Sequence, residues 1–465
     1  MYYYLSFLRP PPKAVPLAEG GIVITPQIAN DLRTELKDDG PTDIYYTWQR
    51  LSPTPHPTDS TRPTKLTTYN PPTNTYKPIF IALPQQAKPL EIWRLGLFSP
   101  PATTVQGSLD TLSQHVCGVW SEGITILSGR AKSDTKQQSG GIKQTRVFRE
   151  WRVSGGRDVS PLDERGAKRH TEGKQIMDTS NVPKVLCIVE QTSFDLDKKI
   201  WDSGLALSAW LHKHLLDYHI QGQSSHRLIR AYLDRLVIPT ERLASHDDKI
   251  SRNVRIVELG AGTGLVSFAL ASALHRYYDH PGRQDASDSF FVESALPLIN
   301  ENAMLNSPLW NNRDVLDSGT PADKESRDSA SEPVFAQAEI AVQSKVLDWD
   351  EDLPTWVYST TEGESFFPDL VIAADVTYNT ASFPSLIKTL SSLLKPKTER
   401  TTSSTSPLLL LAYKERDISE RELWQMAEAK GIWLEKVDVI SGHEDVGSAG
   451  ATEIWIGGAG HPLGR

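Results

Sequence analysis

The hydrophobic pattern divides the chain into two unlike parts. In the first, short β-branched and aromatic runs stand between prolines. Residues 21–24, 44–48, 79–83 and 92–95 are four such runs, and 146–153 reads as a fifth strand. Of 31 prolines, 17 fall in the first 101 residues, so this part cannot be mostly helix. Residues 52–74 are rich in Thr and Pro and are expected to form a loop or linker. The segments 132–143 and 154–181 are polar and nearly without apolar residues, the composition of disordered inserts. Residues 1–180 therefore read as a β-leaning accessory region with disordered segments.

After Asn181 longer periodic segments take over. Residues 185–190 are a strand, and the spacing of Leu205, Trp210, Leu211 and Leu215 predicts a helix over 204–216. A second helix is expected over 226–236. A buried strand at 255–259 is followed by a glycine turn and then by an amphipathic helix over 265–277, the opening of a doubly wound α/β sheet. Strands at 369–375 and 408–412 flank a helix over 383–395. The next helix is expected to start at a capping box, Ser419 with Glu422. Residues 432–440 and 453–456 suit a closing antiparallel pair, and the charged segment 312–333 reads as a surface loop insert.

Composition narrows the class. The 465 residues are 38% hydrophobic and 23% charged, which excludes a fully disordered chain, and glycine shows no collagen period. No apolar run is long enough for a membrane span, and the start lacks the basic region of a secretory signal. Two cysteines, Cys117 and Cys187, fit a reducing compartment, cytoplasmic or nuclear, and exclude a four-cysteine zinc site. A net charge of −9 argues against general nucleic-acid binding. His212 and His214 lie two apart on a predicted helix and cannot both face one metal, so no metal is assigned.

The glycine turn, Glu258-Leu259-Gly260-Ala261-Gly262-Thr263-Gly264, limits the ligand. A dinucleotide fingerprint needs G-x-G-x-x-G, and here its third glycine is replaced by Leu265. No Lys-Ser/Thr pair follows for a nucleotide triphosphate. Glu258 ahead of the turn repels a pyrophosphate and suits a ligand with a cationic ammonium and no phosphate, such as S-adenosylmethionine. The bare backbone at Gly260, Gly262 and Gly264 lets such a ligand approach closely.

Four blocks in order then resemble the seven-β-strand class I methyltransferases, and among them the family-16 protein-lysine methyltransferases. Lys199-Ile200-Trp201-Asp202-Ser203-Gly204 is similar to the family's tryptophan motif, and residues 257–264 to its motif I. Leu347-Asp348-Trp349 resembles the element bordering the adenine, and Ala373-Ala374-Asp375-Val376-Thr377-Tyr378 the family's Asp-x-x-Tyr element. The resemblance covers about 184–460 and implies a Rossmann-like seven-stranded sheet closed by an antiparallel hairpin. It implies cofactor contacts from Trp201, Glu258, Gly260, Ala261, Gly262, Gly264, Trp349 and Ala374. Asp348 either accepts a hydrogen bond from the adenine amino group or closes a turn. One element departs from the family: the Thr-Asp-Leu whose acid holds the ribose is missing between Val292 and Glu293. Glu293 or Asp288 is the candidate substitute, and loss of the contact would weaken cofactor binding by roughly 1.5–3 kcal/mol. A true deletion would also shorten a central strand.

The implied reaction is transfer of a methyl group to a protein lysine. Asp375 is expected to orient the amine and Tyr378 to border its channel, both at the carboxyl end of a central strand. Lys414-Glu415-Arg416-Asp417 reads as a solvated loop at the same sheet edge, with a substrate-facing role as the alternative. The expected partner is a basic protein substrate, by resemblance a translation factor or chaperone. The competing readings are the same fold acting on histidine or a small-molecule amine, and a cofactor-poor scaffold.

Overall fold

The computed structural model describes residues 1–53, 60–114, 116–129, 142–153, 184–193, 195–221, 226–237, 253–278, 287–293, 298–310, 340–358, 367–395, 406–442 and 450–460. The disordered segment expected at 154–181, the insert at 312–333 and nearly all of 132–143 lie outside the described residues.

A seven-stranded sheet carries the second part of the chain. Its strands are β1 (Asn253–Leu259), β2 (Ser287–Glu293), β3 (Ile340–Lys345), β4 (Leu370–Ala374), β5 (Leu408–Lys414), β6 (Ile432–Ile440) and β7 (Thr452–Ala459). Their order is β3-β2-β1-β4-β5-β7-β6. The first five run parallel, while β7 is antiparallel to both β5 and β6, the closing pair expected from the sequence. Because the connections leave β1 in opposite directions to β2 and β4, a crevice opens at the carboxyl ends of β1 and β4. Strands β4 and β5 are buried almost throughout, as parallel strands covered on both faces must be.

The helices are α1 (Asp202–Gln221), α2 (Arg227–Leu236), α3 (Leu265–Tyr278), α4 (Leu298–Asn306), α5 (Phe383–Leu393) and α6 (Glu422–Ala429). α1 and α3 pack together on one face of the sheet, α5 and α6 on the other. All but one residue of α3 are buried, which explains an apolar surface extending round most of that helix. The capping box expected at Ser419 is not formed. Asp417 accepts the Ser419 N–H at 2.8 Å, and the first turn, Ile418–Arg421, is a 3₁₀ segment preceding α6. Asp417 wins because its carboxylate is the stronger acceptor at that helix end.

The first part of the chain is largely β, in a three-stranded sheet and a nine-stranded one. The linker expected at 52–74 contains a strand, Thr64–Tyr69, paired with Thr42–Ser52; the β-branched Thr64, Thr67 and Thr68 favour a strand that the flanking prolines obscure. The strand expected to open the α/β domain also behaves differently. Val185–Gln191 pairs antiparallel with Arg146–Arg152 and so completes the accessory sheet. Tyr2, Tyr4, Leu109, Leu112 and Trp151 share one buried cluster with α1 and α3, so the two parts hold a common core. Among the described residues no helix is long and apolar enough to cross a membrane.

Candidate functional site

Strand β1 ends in the glycine turn, and the turn needs glycine for two different reasons. Gly260 has φ +61°, and a Cβ there would stand 2.8 Å from Val376 Cγ1. At Gly264, φ +82°, a Cβ would meet the Phe268 ring at 2.4 Å, so this glycine serves the close packing of α3. Glu258 is buried, and its Oε2 accepts both the N–H (3.1 Å) and the hydroxyl of Ser267 in the first turn of α3, where the helix dipole favours a negative charge.

A cleft of about 850 Å³, its open mouth included, lies over this turn and the end of β4. It brings together Trp201, Glu258, Gly260, Ala261, Gly262, Trp349, Ala374, Asp375 and Tyr378 from the sequence expectations. Asp348 lies outside it. That side chain is exposed, accepts the Asp350 N–H at 3.0 Å and so closes a turn, beside a second, shallower depression that Trp349 also lines. Strand β2 is not shortened: seven residues long, it runs level with β1, Val292 opposite Glu258. Glu293 is its last residue, at the carboxyl edge. Asp288 pairs with Val254, five residues back or ~16 Å away, too far to serve the same edge.

Asp375 has a left-handed backbone, φ +55°, and is buried. Its Oδ2 accepts the Ser203 N–H at 2.9 Å and its Oδ1 accepts Arg416 Nη1 at 2.6 Å. The other fork of Arg416 donates to Asp31 Oδ2 at 2.7 Å, and the guanidinium lies 4.7 Å from the Trp201 ring centre. Trp201 donates its indole N–H to the Leu196 carbonyl and rests 5.3 Å from the ring of Tyr378, which is half exposed at the mouth of the cleft.

Beneath them, fully buried Asp202 accepts the Tyr2 N–H (3.1 Å), the Tyr4 hydroxyl (2.9 Å) and Lys414 Nζ (2.6 Å). Burial, and after it the neighbouring Asp31, push the Asp202 carboxyl up to about 6. Burial works against the Lys414 ammonium, but Asp202 and Asp31 outweigh it and hold its pKa above the ordinary lysine value. Lys414 and Arg416 are thus not solvated, as 414–417 was expected to be. They join residues from both ends of the chain beneath the cleft. Sequence reasoning missed Asp31 and the role of Asp202, and it weighed Lys414 and Arg416 only as a solvated or substrate-facing loop. One signal was available: Lys414 and Arg416 stand two and four residues after the wholly apolar run Leu408-Leu409-Leu410-Leu411-Ala412.

The accessory sheet also reaches the site. The free edge of Val185–Gln191 is clipped by α4: Asn302 Oδ1 accepts the Val189 N–H, Asn306 Oδ1 the Cys187 N–H, each at 2.8 Å. The Asn302 amide also donates to the Thr263 carbonyl inside the glycine turn at 2.9 Å. Glu190, paired with buried Arg149 at 2.5 Å, accepts the Ile200 N–H at 2.9 Å, and Lys199 Nζ donates to the Gln191 carbonyl at 2.5 Å. The loop carrying Trp201 is therefore laid on the last accessory strand. His212 and His214 are apart, the first against Asp110 and the second beside Asp438.

The cleft suits S-adenosylmethionine on its own chemistry. A Cβ at Gly260 would fill the floor, Trp349 offers an aromatic face for a purine, and Glu258, Asp375 and Asp197 supply negative charge toward cationic groups. No curated protein matches the chain. Solved structures similar to parts of it include a methyltransferase from Pyrococcus furiosus (8% identity, 54% of this chain and 96% of the other, TM-score 0.25). A putative class I S-adenosylmethionine-dependent methyltransferase from Listeria monocytogenes is 12% identical over 57% of this chain and 71% of the other, TM-score 0.27. TYW2 of M. jannaschii in complex with AdoMet is 16% identical over 51% and 78%, TM-score 0.21. These scores are too low to carry weight. The family model described as lysine methyltransferase is different in kind, because it matches residues 180–313 and 328–430, more than half of the chain and every block of the cleft. The chain belongs to the lysine methyltransferase family and is an S-adenosylmethionine-dependent methyltransferase.

Proposed function

We propose that the protein methylates the side-chain amine of a lysine in a protein substrate, in the cytoplasm or nucleus. The observation that carries this reading is the mouth of the cleft. There a half-exposed Tyr378, the Trp201 ring and the fixed carboxylate of Asp375 stand together. When bound, S-adenosylmethionine supplies an electrophilic methyl on a sulfonium. The residues must present a neutral amine to it in line. A free lysine amine with a pKa near 10.4 is unprotonated only in about one molecule in two thousand at pH 7. Contact with the paired rings of Trp201 and Tyr378 at the mouth strips water from the ammonium and favours loss of its proton to solvent. A carboxylate offers about four acceptor sites. Ser203 and Arg416 occupy two at Asp375, which leaves capacity to accept an amine N–H and aim the lone pair. Glu258 and the glycine turn hold the amino-acid end of the cofactor, and Trp349 borders its adenine.

The test is incubation with labelled cofactor and cell lysate, followed by mass spectrometry of the labelled products, with Asp375→Ala as control. Label on protein lysine that disappears in the control supports the reading. Label confined to histidine or to small molecules refutes it.

A further inference from the structure

The charges around the cleft are unequal, and their inequality matches a particular ligand end. The titratable side chains on its described wall are Asp197, Lys199, Glu258, Asp375 and Tyr378. Three are carboxylates, one of which, Asp375, is already paired with Arg416, and Lys199 is the single cation among these lining residues. S-adenosylmethionine carries two positive centres, the sulfonium and the ammonium, and one negative, the carboxylate of its methionine part. We propose that Lys199 is the residue that binds this carboxylate. The inference rests on the cofactor reading above and adds to it the group that recognises the ligand's only anion.

The geometry of Lys199 supports this. It lies two residues before Trp201, in the loop that lines the cleft beside Asp197 and opposite the glycine turn: a Cβ on Gly262 would stand 3.4 Å from the Asp197 carbonyl. One of its three N–H groups is directed to the Gln191 carbonyl at 2.5 Å, which fixes the side chain and leaves two donors. That carbonyl belongs to the last accessory strand, so the first part of the chain sets the position of the ammonium. The surroundings are mixed. Glu190 and Asp195 are its negative neighbours, Arg33 and Arg149 its positive ones, and burial outweighs all of them, lowering the amine to about 8. An ammonium poorly compensated by protein gains from an arriving carboxylate. Glu258 across the turn takes the ammonium of the same amino-acid end, so the two side chains together read a zwitterion.

The experiment is calorimetric titration of the full chain with S-adenosylhomocysteine and with its decarboxylated analogue, which keeps the amine and the nucleoside. Lys199→Met keeps the length of the side chain and loses the charge. The variant should bind S-adenosylhomocysteine at least about tenfold more weakly than the parent, the loss of one charge-assisted bond. It should bind the decarboxylated analogue as the parent does, and Lys199→Arg should restore most of the difference. Equal affinity of parent and Lys199→Met for S-adenosylhomocysteine, or an equal loss for both ligands, overturns the assignment while leaving the cofactor reading intact. Absence of binding by the parent overturns both. Thermal melting of the unliganded variants separates a folding defect from a lost contact.

Discussion

Arg416 is the most informative residue to remove, because it joins the accessory region to the cleft through a single side chain. Arg416→Met keeps most of the apolar stem and deletes the guanidinium. The carboxylates of Asp31 and Asp375, only 1% and 4% exposed, then lose partners at 2.7 and 2.6 Å. Breaking a buried ion pair by deleting one member costs about 3–5 kcal/mol. Lys414, 3.7 Å from Asp31, absorbs part of that charge, so the lower end applies, about 3 kcal/mol. Against a total of roughly 5–15 kcal/mol the variant still folds. Its melting midpoint should fall by ~6–12 °C for a cooperative unit of 150–250 residues. Differential scanning calorimetry measures this, and titration with S-adenosylhomocysteine reports the cleft, where Trp201 loses its cation and Asp375 one of its two anchors. The double variant Asp31→Asn/Arg416→Met decides the cause. It removes one of the two orphaned charges while keeping an acceptor for the Asp202 N–H, so it should be more stable than Arg416→Met alone. A single variant melting within 2 °C of the parent, or a double variant less stable than the single, would refute the idea that opposed buried charges hold this junction.

Three further outcomes follow from the same geometry. Lys199 is held down at about 8, so its ammonium is lost as pH rises through that value; affinity for S-adenosylhomocysteine should weaken between pH 7 and 9.5, and the change attributable to this residue should vanish in Lys199→Arg, which stays charged. Asp202, raised to about 6, takes up a proton as pH falls through 6, so cofactor binding should decline on the acid side. Asp31→Asn removes the like charge that helps to raise it, and should shift that limb to lower pH in a binding profile from pH 4.5 to 8. Gly260→Ala places a methyl group 2.8 Å from Val376 Cγ1 at a backbone φ of +61°, and should reduce S-adenosylhomocysteine affinity tenfold or more, measured by titration.

What could be read from the sequence was what is local. Strands β1, β4 and β5 and the closing pair β6 and β7 follow from signals only a few residues wide, and the glycine turn declares its ligand class through one acid and three bare positions; edge strand β3 and the order in which the strands pair do not follow from such signals. Two things were hidden because they depend on contacts between residues far apart in sequence. Strand Val185–Gln191 has the apolar run of a parallel core strand, yet it belongs to the accessory sheet because two asparagine side chains of α4 satisfy the backbone groups that a neighbouring strand would otherwise need. The buried charges beneath the cleft were equally unreadable, since Asp31 and Arg416 are 385 positions apart and each alone looks like a surface residue. The consequence is functional. Asp31, Tyr2, Tyr4 and Glu190 from the first 190 residues hold the Trp201 loop, the start of α1 and, through Arg416, Asp375. A fragment beginning at residue 195 would retain every motif quoted for the family from Lys199 onward. It would also leave Lys414 and Arg416 without Asp31 and cut away the strand on which the Trp201 loop rests, so the accessory region belongs to the same folded unit as the cleft and is not an appendage to it.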